Sequence, residues 1–277
     1  SSFSATRAQL QDGVDSTTTQ ANALAFDVSS KAQQVAALNN RIRGLTENGK
    51  DIGGLIDQRA ALISDISSQL SVQTVSQTDG SVLLYAGGGR PIVGAEGAST
   101  IKIKHQGPTG GFQSEVIFEK ANGEELVALQ AVGGRIGGLL DANNQVIAPT
   151  LVKLDELAEE FINAFNGQHQ SGFDFNGAAG GNFFRPVVAG VPAASQMTLD
   201  TGIQGNPENL ATSGNPIDVP GDNANALLLE GIIRLPGLLP TGESAFEYYS
   251  DMVIEVASSK QAATVGFEIE TGSVTQL

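Results

Sequence analysis

The chain is 277 residues long and 40% hydrophobic, has neither Cys nor Trp, and carries a net charge of -15 from 15 Lys and Arg against 30 Asp and Glu. That is enough apolar material for a sizeable core in roughly one to three domains. The acidic balance argues against nucleic-acid or membrane-surface binding, the missing cysteines exclude disulfides, thiolate zinc and a cysteine nucleophile, and neither a ~20-residue apolar span nor a basic-then-apolar secretory signal is present.

The first element is a heptad seam. Leu10, Val14, Thr17, Ala21, Leu24, Val28, Lys31, Val35, Leu38, Ile42 and Leu45 keep alternating steps of four and three, and only Thr17 and Lys31 are not apolar. As one helix it would be about 54 Å long at roughly 1.5 Å per residue, and so narrow a seam needs a partner helix to cover it. The other end of the chain offers one: Phe246, Tyr249, Val253, Val256, Lys260, Ala263, Phe267, Glu270, Val274 and Leu277 repeat the same steps. The two seams are expected to pair, antiparallel or nearly so, burying Leu24, Val28, Val253 and Val256. The alternative is an ordinary surface helix at each end, since Gly13, Gly266 and Gly272 each weaken a long helix by roughly 1 kcal/mol. Both seams read as cut off, the first running back through Arg7 to Phe3 and the last stopping on Leu277 without a terminating Gly, Asn or Pro. A core fragment is expected.

Asp51 is a good N-cap for a second helix running to Leu70, with Ile52, Leu55, Ile56, Leu62, Ile63 and Ile66 as a broad apolar face. The short connection favours an antiparallel αα-hairpin. From Ser71 to Val132 the period changes to two: Val72–Gln77, an Asp79-Gly80 turn and Ser81–Ala86 form a hairpin, followed by strands over Thr100–Gln106, Ser114–Lys120 and Glu125–Gln130. Helical spacing resumes at Ile136. Pro149 starts or kinks the next helix, with Leu151, Leu154, Leu157, Phe161 and Phe165 on one face, Asp155, Glu156, Glu159 and Glu160 on the other, and an end near Gly167. Gly172–Pro220 reads as loop with short extended pieces around Val187 and Met197–Leu199. A short helix over Asn223–Leu235 precedes the final seam.

Several of these stretches occur together in one family: ALNNRI at 37–42, LIDQRAALI at 55–63, DGSVLLY at 79–85, GGRIGGLLD at 133–141, LDELAEEFINAFNGQHQSGFDFNG at 154–177, NFF at 182–184 and GDNANALLLE at 221–230. In these, and most specifically from Gly133 to Phe184, the chain resembles the flagellar hook-associated protein FlgK family. The resemblance implies an extracellular structural subunit of the hook-filament junction, exported by the flagellar secretion apparatus without a cleaved signal. It also implies self-association in a ring, contacts with the hook protein and with the next junction protein toward the filament, an export chaperone bound through a C-terminal region lacking here, and no chemistry. Two departures stand out. The stretch between Phe184 and Gly221 is short where many members carry a large β insertion, and Ala60 follows Asp57-Gln58-Arg59 where an acidic residue is usual.

The residues that invite a chemical reading have simpler explanations. Asp57, Gln58 and Arg59 read as a local ion pair fixing the helical hairpin to its neighbours. Gly133, Gly134, Gly137 and Gly138 lack the G-x-G-x-x-G spacing and the Lys-Ser/Thr of a phosphate loop, and suit close strand-to-helix packing. His105 and His169 have no i, i+4 partner for zinc. Asp174, Asn176 and Gly177 open like a calcium loop, but the pattern does not close with Glu. Asp155, Glu156, Glu159 and Glu160 read as a solvated face, since acid-base work needs one of them buried. No catalytic, cofactor-binding or metal residue is assigned.

The expected class is α+β: an elongated helical rod of long paired N- and C-terminal helices with an inserted antiparallel β module and a short loop/β region. The expected domains are a discontinuous helical one from 1–70, 133–184 and 221–277, the β module at 71–132, and a reduced outer segment at 185–220. An adhesin-like module displaying a β domain on a helical stalk is the alternative function.

Overall fold

A computed structural model describes residues 2–46, 51–107 and 111–274, with residues 2, 46 and 263–274 as backbone alone. The class is α+β. In chain order, α1 (Ser2–Thr46) and α2 (Gly53–Gln69) precede β1 (Gln73–Ser76), β2 (Val82–Ala86), β3 (Arg90–Gly94), β4 (Gly97–Ala98), β5 (Thr100–His105), β6 (Ser114–Glu119) and β7 (Glu125–Val127). There follow α3 (Gly134–Asp141), a π-helical turn (Ala142–Ile147), α4 (Ala148–Ser171), α5 (Ala193–Gln196), α6 (Ala224–Gly231) and α7 (Ala245–Val274). Two compact units emerge, one of Asp12–Ala148 and one of Ser1–Gln11 with Pro149–Leu277; α1 runs from one into the other.

In the Asp12–Ala148 unit the seam is real. Val14, Ala21, Val28, Val35, Leu38 and Ile42 are buried in heptad steps, with Ala25, Ser29, Ala32 and Asn39 widening the stripe. Its cover differs from the expected one: Ala21, Ala25, Val28, Ala32 and Val35 share one core with Ile66 of α2 and Leu70 just after it, Leu84 and Ile92 of the first sheet, Ile101 and Phe118 of the second, and Ile136 of α3. The alanines and Ser29 let strands approach the helix closely, and the N–H of Ile101 donates to Ser29 Oγ at 2.8 Å. α2 is antiparallel to α1, because Lys31 meets Asp65 at 3.4 Å, Gln69 donates to Asp27 at 2.6 Å, and Asn39 accepts from Arg59. The N-cap of α2 is Ile52 rather than the expected Asp51, which sits one residue earlier and accepts the N–H of Gly53.

The strands form two antiparallel sheets in the orders β1-β2-β3-β4 and β5-β6-β7. The hairpin around Asp79-Gly80 pairs Ser76 with Val82 as its turn predicts. β3 and β4 have no counterpart in the sequence reading. Pro91 and the preceding glycines disguise β3, and a bulge opposite Leu84 and Tyr85 sends both Ile92 and Val93 inward, so the period-two signal is lost. Gly87 has φ +52°, and a Cβ there would sit 3.0 Å from that of Ala128 and 3.1 Å from the Phe118 ring, so glycine permits this approach. The double glycine at 133–134 does the same at the end of α2: a Cβ on Gly134 would lie 2.6 Å from the Gln69 carbonyl carbon, so the close approach is to a helix end rather than the expected strand-to-helix packing, and Gly138 has nothing within 4 Å of a Cβ.

In the other unit α4 continues past Gly167 to Ser171, because the last turn is held by side chains rather than decided by propensity. Phe161 and Phe165 stack with Phe183 and Phe184 from the following loop at centroid distances of 4.7–6.2 Å. Phe3 and Leu10 at the start of α1 pack with Leu154, Ile162 and Met252. Here the two ends of the chain do share a core, but α7 turns a different face inward. Ala245, Tyr248 and Met252 are buried, one residue short of the expected Phe246, Tyr249 and Val253. One residue is about 100° of rotation, so Val253, expected in the core, is 48% exposed. Two things fix the rotation: Ser244 and Glu247 form a reciprocal capping box, each backbone N–H donating to the other's side chain, and the Tyr248 hydroxyl reaches Glu156. The side chains of Ala263, Phe267, Glu270 and Val274, and all of Leu277, lie outside the described residues.

Replacing Ile66 by Ala should cost about 2–5 kcal/mol, as expected of a fully buried branched side chain. Val253→Ala should stay within about 0.5 kcal/mol. Chemical denaturation of both variants checks this, and a large loss at Val253 would contradict its exposed position.

Candidate functional site

Two buried polar clusters and one exposed apolar face stand out. The first cluster joins α1, α2 and the first hairpin. Asn39 is buried on the inner face of α1, and its amide treats β2 as a neighbouring strand would, donating to the Val82 carbonyl at 2.7 Å and accepting the Val82 N–H at 3.1 Å. Arg59, only 7% exposed, donates through one guanidinium nitrogen to Asn39 Oδ1 at 2.9 Å and to the Gly80 carbonyl at 2.8 Å. Burial pushes its pKa down. The turn is braced by Asp79, which accepts from both the N–H and the hydroxyl of Ser81. Arg59 thus fixes the hairpin to its neighbours, as expected, through neutral partners rather than an ion pair. Asp57 and Gln58 are exposed. Asn39 was missed; its one signal is an amide on the buried stripe of a seam, within ALNNRI.

The second cluster corrects the solvated face expected on α4. Asp155 accepts from Arg7 Nε at 3.1 and 3.2 Å and from the Ala194 N–H at 3.0 Å, with both side chains largely covered. Glu156 accepts the Tyr248 hydroxyl at 2.5 Å; burial first and this carboxylate second push the phenol well above its ordinary pKa. Lys153 pairs with Glu255. Asp155 ties α4 to α1 and Glu156 ties it to α7, while Glu159 is exposed and Glu160 half-buried. The S-x-x-E at 244–247 was the overlooked sign of where α7 begins.

The histidines are separated and structural in their contacts. His169 is wholly buried, with Nδ1 2.8 Å from the Gly181 carbonyl and Nε2 accepting the Ala211 N–H at 3.0 Å, which fixes the neutral tautomer that donates from Nδ1. His105 Nδ1 lies 3.0 Å from Ser114 Oγ. Asp174 accepts the N–H groups of Asn176 and Ala178 within its own turn. Among the described residues no group of three or more His, Asp and Glu side chains is placed to hold a metal. No described helix is long and apolar enough to cross a membrane.

The apolar face lies on the Pro149–Leu277 unit and its α1 segment. Phe246 and Tyr249 are 49% and 47% exposed, and with Phe3, Leu157, Phe161 and Ile233 they line an open cavity of 340 Å³. Arg234 lies over the Phe246 ring, 4.9 Å from its centroid. Val253 and Ile254 extend the face along α7, and Ile233 and Leu235 extend it before α7. The arrangement offers recognition surface and structural ties rather than a convergent set of reacting groups.

Known proteins share this framework. The family described as "Flagellar hook-associated protein FlgK helical domain" matches residues 1–184. Flagellar hook-associated protein 1 of Escherichia coli is 31% identical over 181 residues, covering 63% of this chain and 32% of that protein. The Bacillus subtilis protein of the same name is 27% identical over 278 aligned positions, covering 87% of this chain and 53% of that one. The chain therefore spans about a third to a half of the length of these relatives. The solved flagellar hook junction protein FlgK from Burkholderia pseudomallei has the same fold over 66% of this chain and 33% of its own, at a TM-score of 0.56 and 24% identity.

Arg59→Ala should destabilise by about 1–3 kcal/mol, because it takes a hydrogen bond from the buried Asn39 amide oxygen and from the half-buried Gly80 carbonyl; an exposed ion pair would cost only about 0.2–1 kcal/mol. Urea titration distinguishes the two. Asp27 sets an acid limit: hydrogen bonds from Lys31 first and Gln69 second hold its carboxyl below the ordinary value. A carboxyl depressed in the folded state contributes stability above its unfolded pKa of about 3.9 and loses it as pH falls through the folded value. The drop in denaturation midpoint between about pH 5 and pH 3 should be smaller in Asp27→Asn than in the parent.

Proposed function

Because the chain belongs to the flagellar hook-associated protein FlgK family, we propose that it is a non-catalytic structural subunit of the bacterial flagellum at the junction between hook and filament. Its place is outside the cell, reached through flagellar export without a cleaved signal. It assembles with copies of itself in a ring, with the hook protein on one side and the next hook-associated protein on the other, and an export chaperone engages the C-terminal part of the protein. The observation that supports this best is the family match over residues 1–184, which spans α1, α2, both sheets, α3 and α4. Arg59-Asn39, the double glycine before α3 and the aromatic cluster after α4 all lie inside that span, so the matched residues are those that build the framework. The adhesin-like alternative has no comparable observation in its favour.

Deleting the gene for the whole protein in its native bacterium should leave hooks without filaments and abolish swimming. A tagged copy should restore both and localise by immunogold labelling to the hook's distal end. Normal filaments and swimming in the deletion strain would overturn the reading.

A further inference from the structure

We propose that β1 is a self-association edge, at which a second copy of this chain adds its own β1 antiparallel and joins the two β1-β2-β3-β4 sheets into one. The Gln77 N–H donates to the Ser81 carbonyl at 2.9 Å, in the same register that sets Val75 opposite Leu83. Odd-numbered positions therefore bond to β2, and Thr74 and Ser76 turn their N–H and C=O groups away from it. Among the described residues no strand pairs with that side, and all of β1 is exposed. The other three sheet edges are blunted. β4 is two residues long. On the outer side of β5 the Ile101 N–H donates to Ser29. β7 carries Glu125, and its Val127 carbonyl accepts from Arg90 Nε at 2.8 Å. Charged side chains and Pro, which discourage edge pairing elsewhere, are missing from residues 71–78.

The backbone pattern and the charge select the occupant. An antiparallel edge is complementary to itself: placing Val75 opposite its counterpart in the second copy brings each Thr74 against the other strand's Ser76. The N–H and C=O groups of both outward residues are then used on both strands. Val75, 45% exposed, covers its counterpart. A chain of net charge -15 resists contact with itself over most of its surface, but residues 71–78 hold no charge. Asp79, next along, already faces Arg43 at 3.7 Å and accepts from the N–H and hydroxyl of Ser81. β1 has no charge by which to select a foreign segment, whereas its own sequence supplies the match on both sides. The paired copies are related by a two-fold axis, so the contact belongs to the free subunit and not to a ring, whose neighbours meet head to tail. The deletion experiment above can fail or succeed without deciding it.

Edges this short bury less than the ~1,200 Å² of a stable interface, so the pairing is transient and is read by trapping it. The chain has no Cys, and the Val75 pair would be a non-hydrogen-bonded one, whose Cα separation of about 4.5 Å lies within disulfide reach. Under oxidised glutathione, Val75→Cys should form a disulfide-linked dimer at least ten-fold faster than Gln73→Cys. Gln73 is exposed on the same face of the same strand, but in this register it meets Gln77 of the second copy rather than its own counterpart. Adding Thr74→Pro to the Val75→Cys chain removes an outward N–H and leaves the bonds to β2 intact. It should lower the rate to that of Gln73→Cys with circular dichroism unchanged, and Ser76→Pro should do the same. Equal rates for the two Cys variants, a faster Gln73→Cys chain, no disulfide dimer, or a Val75→Cys rate indifferent to both prolines would overturn the proposal.

Discussion

Everything in the Asp12–Ala148 unit depends on covering one stripe of α1. A helix of 45 residues whose inner positions are Val, Ala and Ile at heptad spacing cannot leave that stripe in water, and the identity of its side chains decides what covers it. Large residues throughout would have suited a second helix packing into a coiled-coil seam. Alanines at 21, 25 and 32, with Ser29 between them, instead leave a shallow surface against which strands can lie. The Ser29 hydroxyl and Asn39 amide then supply the hydrogen bonds that the approaching strand backbone needs. Helix and sheets become one core because α1 is small and partly polar where they meet.

Much of this was legible in the sequence, and what was not has identifiable reasons. The seam of α1, the Asp79-Gly80 turn, the strands at 100–105 and 114–119 and the packing glycines before α3 all rest on strong local signals. The sequence does not identify what covers the seam, because heptad spacing reports that a stripe is buried without reporting what buries it. β3 was invisible because a bulge and a proline erased alternation. Hydropathy places the inner face of α7 one position away from the observed one because Phe246 and Val253 are more apolar than Ala245 and Met252, and apolarity alone does not decide burial. Its true inner face is set by a capping box and a hydroxyl-to-carboxylate bond, features that a hydropathy pattern does not weigh.

The same point explains the polar residues. Arg59, Asp155, Glu156 and His169 are the kinds of side chain from which active sites are built, and each is instead engaged in positioning backbone or a neighbouring helix. Arg59 and Asp155 bond to two or more elements at once, so the side chains act as fasteners where the chain folds back on itself. Their burial is what makes them effective, since the same pairs in solvent would be worth little.

The discontinuity of the second unit carries a consequence for the order in which the protein folds. Asp12–Ala148 is contiguous in sequence and can complete its core as soon as its own residues are available. Ser1–Gln11 must wait for α4 and α7, because Arg7 finds Asp155, and Phe3 and Leu10 find Met252, only across the whole intervening stretch. Closing so long a loop is entropically costly and slow when the loop is disordered; it is less so once the intervening residues have already collapsed. The contiguous unit is then the nucleus, and the unit that presents the exposed α7 face is the last to form.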